Sequence, residues 1–363
     1  MKPLYKVIIL LFLLPAVVIA NDSNLNGKHT KEKKIKKQFE VSEKALLKIN
    51  NRYGNVDITT WNQNSISIEV TIITNGNNEE EVQKRLDEIT VEFNASKSQV
   101  SAETLIAKKK SNWSFWGSNT GKVNMKINYL VKMPISNSLD IKNDYGAISL
   151  NEIDGNVNIS CNYGTFILGD LNGSENFLQF DYTTKASINY INQATINADY
   201  SEYEIKKANN ISYNGDYTRV LIEEVKEKID FGTSYGKVQI NAANSVKGES
   251  RYVTSTFGKI SNSLELDSKY GRISVDELKK GFKNVFINAK YTSIEIGYNA
   301  DANFDLETNL SYANLSGQNN FEFTVQNIQN TKKDFKGYYG SSNSGNSIQI
   351  ISGYGGVTLK KNN

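Results

Sequence analysis

The chain has 363 residues, and its 42 Lys and Arg against 39 Asp and Glu leave a formal charge of only +3. So even a mix of signs argues against the broad basic footprint of a nucleic-acid-binding protein. With one Cys and one His in the whole sequence, Cys–His and Ser–His–Asp catalysis and His-rich metal centres lack their residues, and no internal disulfide can form.

Lys2 and Lys6 precede an apolar run over 7–14, Pro15 and then Val18-Ile19-Ala20. This is the pattern of a secretory signal peptide over 1–20, with an apolar core too short to span a bilayer. The expected destination is the periplasm, the cell envelope or the exterior, with no transmembrane segment after signal removal. Residues 21–38 hold the only His, His29, and Lys31, Lys33, Lys34, Lys36 and Lys37, and read as a basic flexible linker.

Residues 39–138 read as a strand-rich cap region containing one helix at about 78–90. Val82, Leu86 and Ile89 fall at helical spacing, with acidic residues early and Lys84-Arg85 late, the order a helix dipole favours. A polar insertion in this region carries Trp113, Phe115 and Trp116. These three side chains either pack over the end of the next region or offer an apolar patch to a partner, and they are the candidate ligand contacts.

Residues 139–317 carry a repeated phrase. Taking Tyr235 as position zero, Ile229 and Phe231 lie at −6 and −4, Gly236 at +1, and Val238 and Ile240 at +3 and +5. The same frame holds at Tyr145, Tyr163, Tyr200, Tyr217, Tyr270, Tyr291 and Tyr312, and far upstream at Tyr53. From Tyr145 through Tyr163, Tyr182, Tyr200 and Tyr217 to Tyr235, the steps are 18, 19, 18, 17 and 18 residues. A fixed short period marks a solenoid. Apolar residues alternate within each phrase, the pattern of strands with one face buried. The alternation changes phase at the anchor, so the chain must bend or bulge there.

The fold class expected is therefore all-β: a parallel β-solenoid with rungs of roughly 18 residues, and closing strands over 318–363. Between Tyr235 and Tyr270, Phe257-Gly258 fits the phrase better than Tyr252. The tyrosines share the parity of the interior positions, which predicts burial or corner packing rather than a ligand platform. At −1 stand Asp144, Asn162, Asp181, Asp199 and Asp216. Stacked carboxylates can hold Ca²⁺, but polar turn residues facing water produce the same column. Cys161, on the interior parity, reads as a buried structural thiol.

The signal peptide, the opening phrase Asn51-Arg52-Tyr53-Gly54-Asn55-Val56-Asp57-Ile58 with Trp61, the strand ending at Met133-Pro134 and the phrase Lys269-Tyr270-Gly271-Arg272-Ile273-Ser274-Val275 together resemble the bacterial putative-adhesin family. That family is a secreted β-strand-repeat domain otherwise of unknown function. The resemblance covers roughly 39–360 and implies an envelope β-solenoid without established catalytic residues. The function expected is non-enzymatic binding of a cell-surface glycan or matrix protein through outward faces or cap loops, with no cofactor. Alternatives are a polysaccharide-active β-helix enzyme, which needs clustered outward carboxylates beside Arg or Lys, and a purely structural periplasmic spacer.

Overall fold

The computed structural model describes residues 25–107 and 123–362. The expected signal peptide and Trp113, Phe115 and Trp116 lie outside the described residues. The described chain is all-β with a single α-helix, and most strand pairs are parallel. It divides into two compact units, 1–168 and 169–363.

In the first unit the upstream phrase joins the repeats directly. Leu46–Arg52 pairs in parallel with Ser138–Asp144, placing Leu47 beside Leu139 and Ile49 beside Ile141. Val157–Asn162 pairs with the same strand, placing Val157 beside Leu139 and Ile159 beside Ile141. Like apolar residues thus stack at strand spacing with their side chains buried. Ser65–Gly76 runs antiparallel to both Asn124–Pro134 and His29–Glu40.

The last pairing corrects the expected linker, because His29–Glu40 is a twelve-residue strand. Ile35 and Phe39 share one face of it, and the lysines that suggested a solvated arm are what an edge strand carries to discourage further pairing. Lys31 and Lys36 form surface ion pairs with Glu79 and Glu69. The helix is shorter than expected, Glu79–Asp87, and Asn78 caps it by accepting the Glu81 N–H at 3.1 Å. Val82 and Leu86 form its buried face.

In the second unit, successive strands stack in parallel and in register. One inward column runs Ile211, Ile229, Val246, Leu264, Val285, Ile348, and another runs Ile205, Ile222, Ile240, Phe257. All of these side chains are buried. A fully buried aliphatic side chain contributes roughly 1.5–3 kcal/mol, so these columns form the core.

The C-terminal segment departs from the expected cap. Ser347–Gly353 pairs in parallel with both Asn284–Asn299 and Phe304–Ser311, and so sits between them. Ile348, Ile350, Tyr354, Val357 and Leu359 repeat the phrase itself, which is why this segment returns to the stack. Lys332–Tyr339 pairs antiparallel with Phe304–Ser311, and Glu322–Gln329 pairs antiparallel with Lys332–Tyr339 in turn.

Candidate functional site

Every phrase turns on a tyrosine whose backbone is left-handed. Twelve tyrosines, from Tyr53 to Tyr354, have φ between 50° and 62°, a conformation that costs a non-glycine residue roughly 1–2 kcal/mol. The corner explains the phase change, because an αL residue ends one strand and starts the next with both apolar faces still turned inward. It also keeps the hydrogen-bond ladder intact: the N–H of Tyr217 donates to Ser234 O at 2.9 Å, and that of Tyr235 to Arg251 O at 2.9 Å.

The small +1 column follows from the same corner. A Cβ on Gly236 would sit 2.2 Å from the carbonyl oxygen of Thr218. Where Thr or Ser takes this position, its hydroxyl bonds the neighbouring backbone; Thr218 Oγ1 donates to Asp216 O at 3.0 Å, and Ser201 Oγ to Asp199 O at 2.8 Å. Beneath the corner, −2 side chains satisfy inward carbonyls. Asn143 Nδ2 donates to Gly54 O at 3.0 Å, and Ser352 Oγ to Gly355 O at 2.9 Å. Cys161, as expected, is buried in this column, and its thiol donates to the carbonyl oxygens of Gly146 at 3.9 Å and Thr165 at 3.8 Å.

The tyrosine rings stack at the corners, as one of the two expected arrangements has it, but they point outward, which corrects the other, burial. Parity counts hold only within a continuous strand, and the αL residue interrupts it, so position zero does not inherit the inward parity of −4 and −6. In the second unit nine rings stack in the order Tyr182, Tyr200, Tyr217, Tyr235, Tyr252, Tyr270, Tyr291, Tyr354 and Tyr312, with centroids 4.7–5.1 Å apart and planes within 14°. They are 42–60 % exposed. In the first unit Tyr53, Tyr145 and Tyr163 stack at 5.2–5.3 Å. The register between Tyr235 and Tyr270 is also corrected, since Tyr252 is the ladder member and Phe257 is fully buried. A phase change centred on the tyrosine itself was the sequence signal for an outward corner.

The −1 column lies beside the ladder. Asp181 accepts the Asp199 N–H at 3.2 Å, Asp199 the Asp216 N–H at 2.7 Å, and Asp216 the Ser234 N–H at 2.9 Å. Asp144 instead accepts from Arg52 Nε at 3.4 Å and Asn162 Nδ2 at 3.1 Å. One oxygen each of Asp181, Asp199 and Asp216, and both oxygens of Asp144, are therefore engaged within the protein. Among the described residues no group of three or more His, Cys, Asp or Glu is placed to hold a metal ion. The Tyr200 phenol is pushed above its ordinary value by desolvation and then by Tyr217, Tyr182, Asp199 and Asp216. At later rungs the same position is cationic, and Lys290 Nζ lies 5.6 Å from the centre of the Tyr291 ring.

An open groove of about 790 Å³ runs along the helix, lined by Lys31, Glu79, Gln83, Lys84 and Asp87 among others. It contains none of the ladder residues.

No family model matches the chain, and no curated protein does. Three solved structures are similar to it at low identity. A putative cell adhesion protein from Clostridium sporogenes is 12% identical and covers 92% of this chain and 100% of its own, with a TM-score of 0.19. A putative adhesin from Parabacteroides distasonis is 10% identical and covers 73% and 93%, with a TM-score of 0.30. A putative adhesin from Bacteroides fragilis is 11% identical and covers 91% and 97%, with a TM-score of 0.23.

Proposed function

We propose that the protein is an exported, adhesin-like β-solenoid that binds an elongated surface or matrix ligand along its tyrosine ladder and catalyses no reaction. The observation carrying this reading is the half-exposed stack of nine rings in 169–363. A corner that only needed φ > 0 would be served at no steric cost by Gly. A tyrosine at every rung keeps an aromatic, hydroxyl-bearing ridge on the surface instead.

The chemistry of the ridge narrows the ligand. Each ring face within the stack is covered by its neighbour, so a ligand meets ring edges and phenol hydroxyls repeating at strand spacing. A cell-surface glycan laid along the ridge presents hydroxyls in a comparable linear series. The backbone bonds accepted by Asp181, Asp199 and Asp216 give these carboxylates a structural task, which favours binding over acid–base catalysis. Trp113, Phe115 and Trp116 stand as a second candidate contact.

The test is a glycan array probed with the full chain, with a Tyr217→Ser/Tyr235→Ser variant and with a Trp113→Ala/Phe115→Ala/Trp116→Ala variant. The expected result is binding to extended glycans that the ladder variant loses and the second variant keeps. An empty array, with the native protein soluble in the periplasm on fractionation, would overturn it in favour of a structural spacer.

A further inference from the structure

The charges on one flank of the ladder in the second unit are sorted by sign along its length. Read rung by rung, the −1 column is Asp181, Asp199, Asp216, Ser234, Arg251, Lys269, Lys290. It is antisymmetric about Ser234: three acids, one neutral residue, three bases. The +2 column on the other flank, Thr184, Glu202, Arg219, Lys237, Thr254, Arg272 and Ser293, is not sorted in this way: it carries one acid and three bases, with Glu202 beside Arg219 in the register.

This order is poor for an isolated chain. Parallel register sets Arg251 beside Lys269 and Lys269 beside Lys290, and like charges directly opposite on a sheet are destabilising. Asp181 likewise faces Asp199. Arg251, Lys269, Lys290, Glu202 and Arg272 form no ion pair with any described residue. Alternating signs would have removed the repulsion within the chain, so the segregation points to something outside it.

We infer that the ladder of 169–363 is a self-association surface, on which a second copy of this chain docks antiparallel about a two-fold axis at Ser234–Tyr235. An isologous contact pairs position i with j and j with i. The axis sets Asp181 against Lys290 of the partner subunit, Asp199 against the partner's Lys269, and Asp216 against the partner's Arg251, each twice. On the other flank Glu202 meets the partner's Arg272, and Arg219 meets the partner's Thr254. The −3 column adds no like-charge contact: Asn214 faces the partner's Glu249, Asn197 the partner's Asp267, and Gly232 its own copy. One contact is unfavourable, since Lys237 meets its own copy. The seven rungs from Tyr182 to Tyr291 span about 30 Å at strand spacing, with exposed ring edges between the charged flanks.

Charge complementarity of this kind sets orientation and partner choice more than raw affinity, and it is screened by salt. The inference rests on the ladder being a contact surface but not on any glycan. A monomer in solution would leave the glycan reading standing, and an empty glycan array would leave this one standing.

The experiment is sedimentation velocity of the full chain over a concentration series at low and high salt, with Glu202→Arg and Arg272→Glu variants alone and mixed. The expected result is a reversible dimer that high salt dissociates. Each reversal alone weakens the dimer about tenfold, since it turns two attractive contacts into repulsive ones. An equimolar mixture of the two variants restores it, because every reversed side chain then faces its complement. Asp199→Lys and Lys269→Glu, on the other flank, repeat the test should the first pair fail to fold by circular dichroism. A monomer at all concentrations, a dimer indifferent to the reversals, or a mixture that does not recover would each overturn the inference. So would a monomer that binds dextran sulfate through Arg251, Lys269 and Lys290, which would make the basic rungs a polyanion site.

Discussion

Tyr217 and Tyr235 stack with ring centres 4.9 Å apart and planes 7° from parallel, and both sit on left-handed backbone, at φ 55° and 56°. The pairing joins an unfavourable backbone conformation to a favourable ring contact. Stacked aromatic pairs contribute about 0.5–1.5 kcal/mol beyond area burial, and each interior ring has two such neighbours. That is enough to offset an αL cost of roughly 1–2 kcal/mol.

The two effects separate by mutation at Tyr235. Tyr235→Ala removes the ring and keeps the strained corner, and is expected to cost about 1–3 kcal/mol in urea unfolding. Tyr235→Gly also removes the ring but relieves the corner, so it should be the more stable variant by about 1 kcal/mol. In a helix or strand interior the order would be reversed. Equal stabilities, or Ala above Gly, would show that the corner is not strained.

The register around Tyr252 predicts an asymmetry between two aromatics five residues apart. Phe257 is fully buried and Tyr252 half exposed. Phe257→Ala is expected to cost about 3–5 kcal/mol, and Tyr252→Ala clearly less. Chemical denaturation of the two variants decides it, and a larger loss at Tyr252 would contradict the observed register.

Gly248 lies beside Phe231 in the parallel register, and a Cβ there would come within 2.2 Å of the Phe231 ring. Gly248→Ala should therefore destabilise by about 1–3 kcal/mol through overpacking. Adding Phe231→Leu should cost less in that background than in the parent. A double-mutant cycle measures the coupling, and strict additivity would refute the contact.

Tyr203 governs part of the response to alkali. Its side chain is buried, its hydroxyl has no hydrogen-bond partner among the described residues, and burial, with the nearby Tyr213, holds its phenol well above the ordinary value. The folded state keeps this proton while the unfolded chain releases it above a pH of about 10. The resulting stability is full below that pH and is lost as pH rises towards the folded value. Tyr203→Phe should be neutral or stabilising at pH 7, because no partner is stranded, and should flatten the fall in stability above pH 10. Parallel alkaline curves for the two proteins would count against this account.

Much of the architecture was readable from local pattern. The alternation around Ile229, Phe231, Val238 and Ile240 marks paired inward strands, and its change of phase at the anchor marks a bend. Other elements were misread for identifiable reasons. The lysines of His29–Glu40 mask an edge strand, because their charges occupy most of the positions where apolar alternation would show. Phe257-Gly258 imitated the phrase closely enough to displace Tyr252.

Period and alternation are properties of neighbouring residues, so the sequence by itself determined that the chain forms short strands, that they repeat every 17–21 residues, and which aliphatic columns face inward. The outward direction of the tyrosines was decided by the backbone torsion at each corner, which no parity count contains. Tertiary stacking alone seated Tyr354 between Tyr291 and Tyr312, since strand order depends on which edge is open when a segment returns. It was also stacking that turned residues 17 to 21 positions apart into one column, where Asp181, Asp199 and Asp216 stand at one end and Arg251, Lys269 and Lys290 at the other.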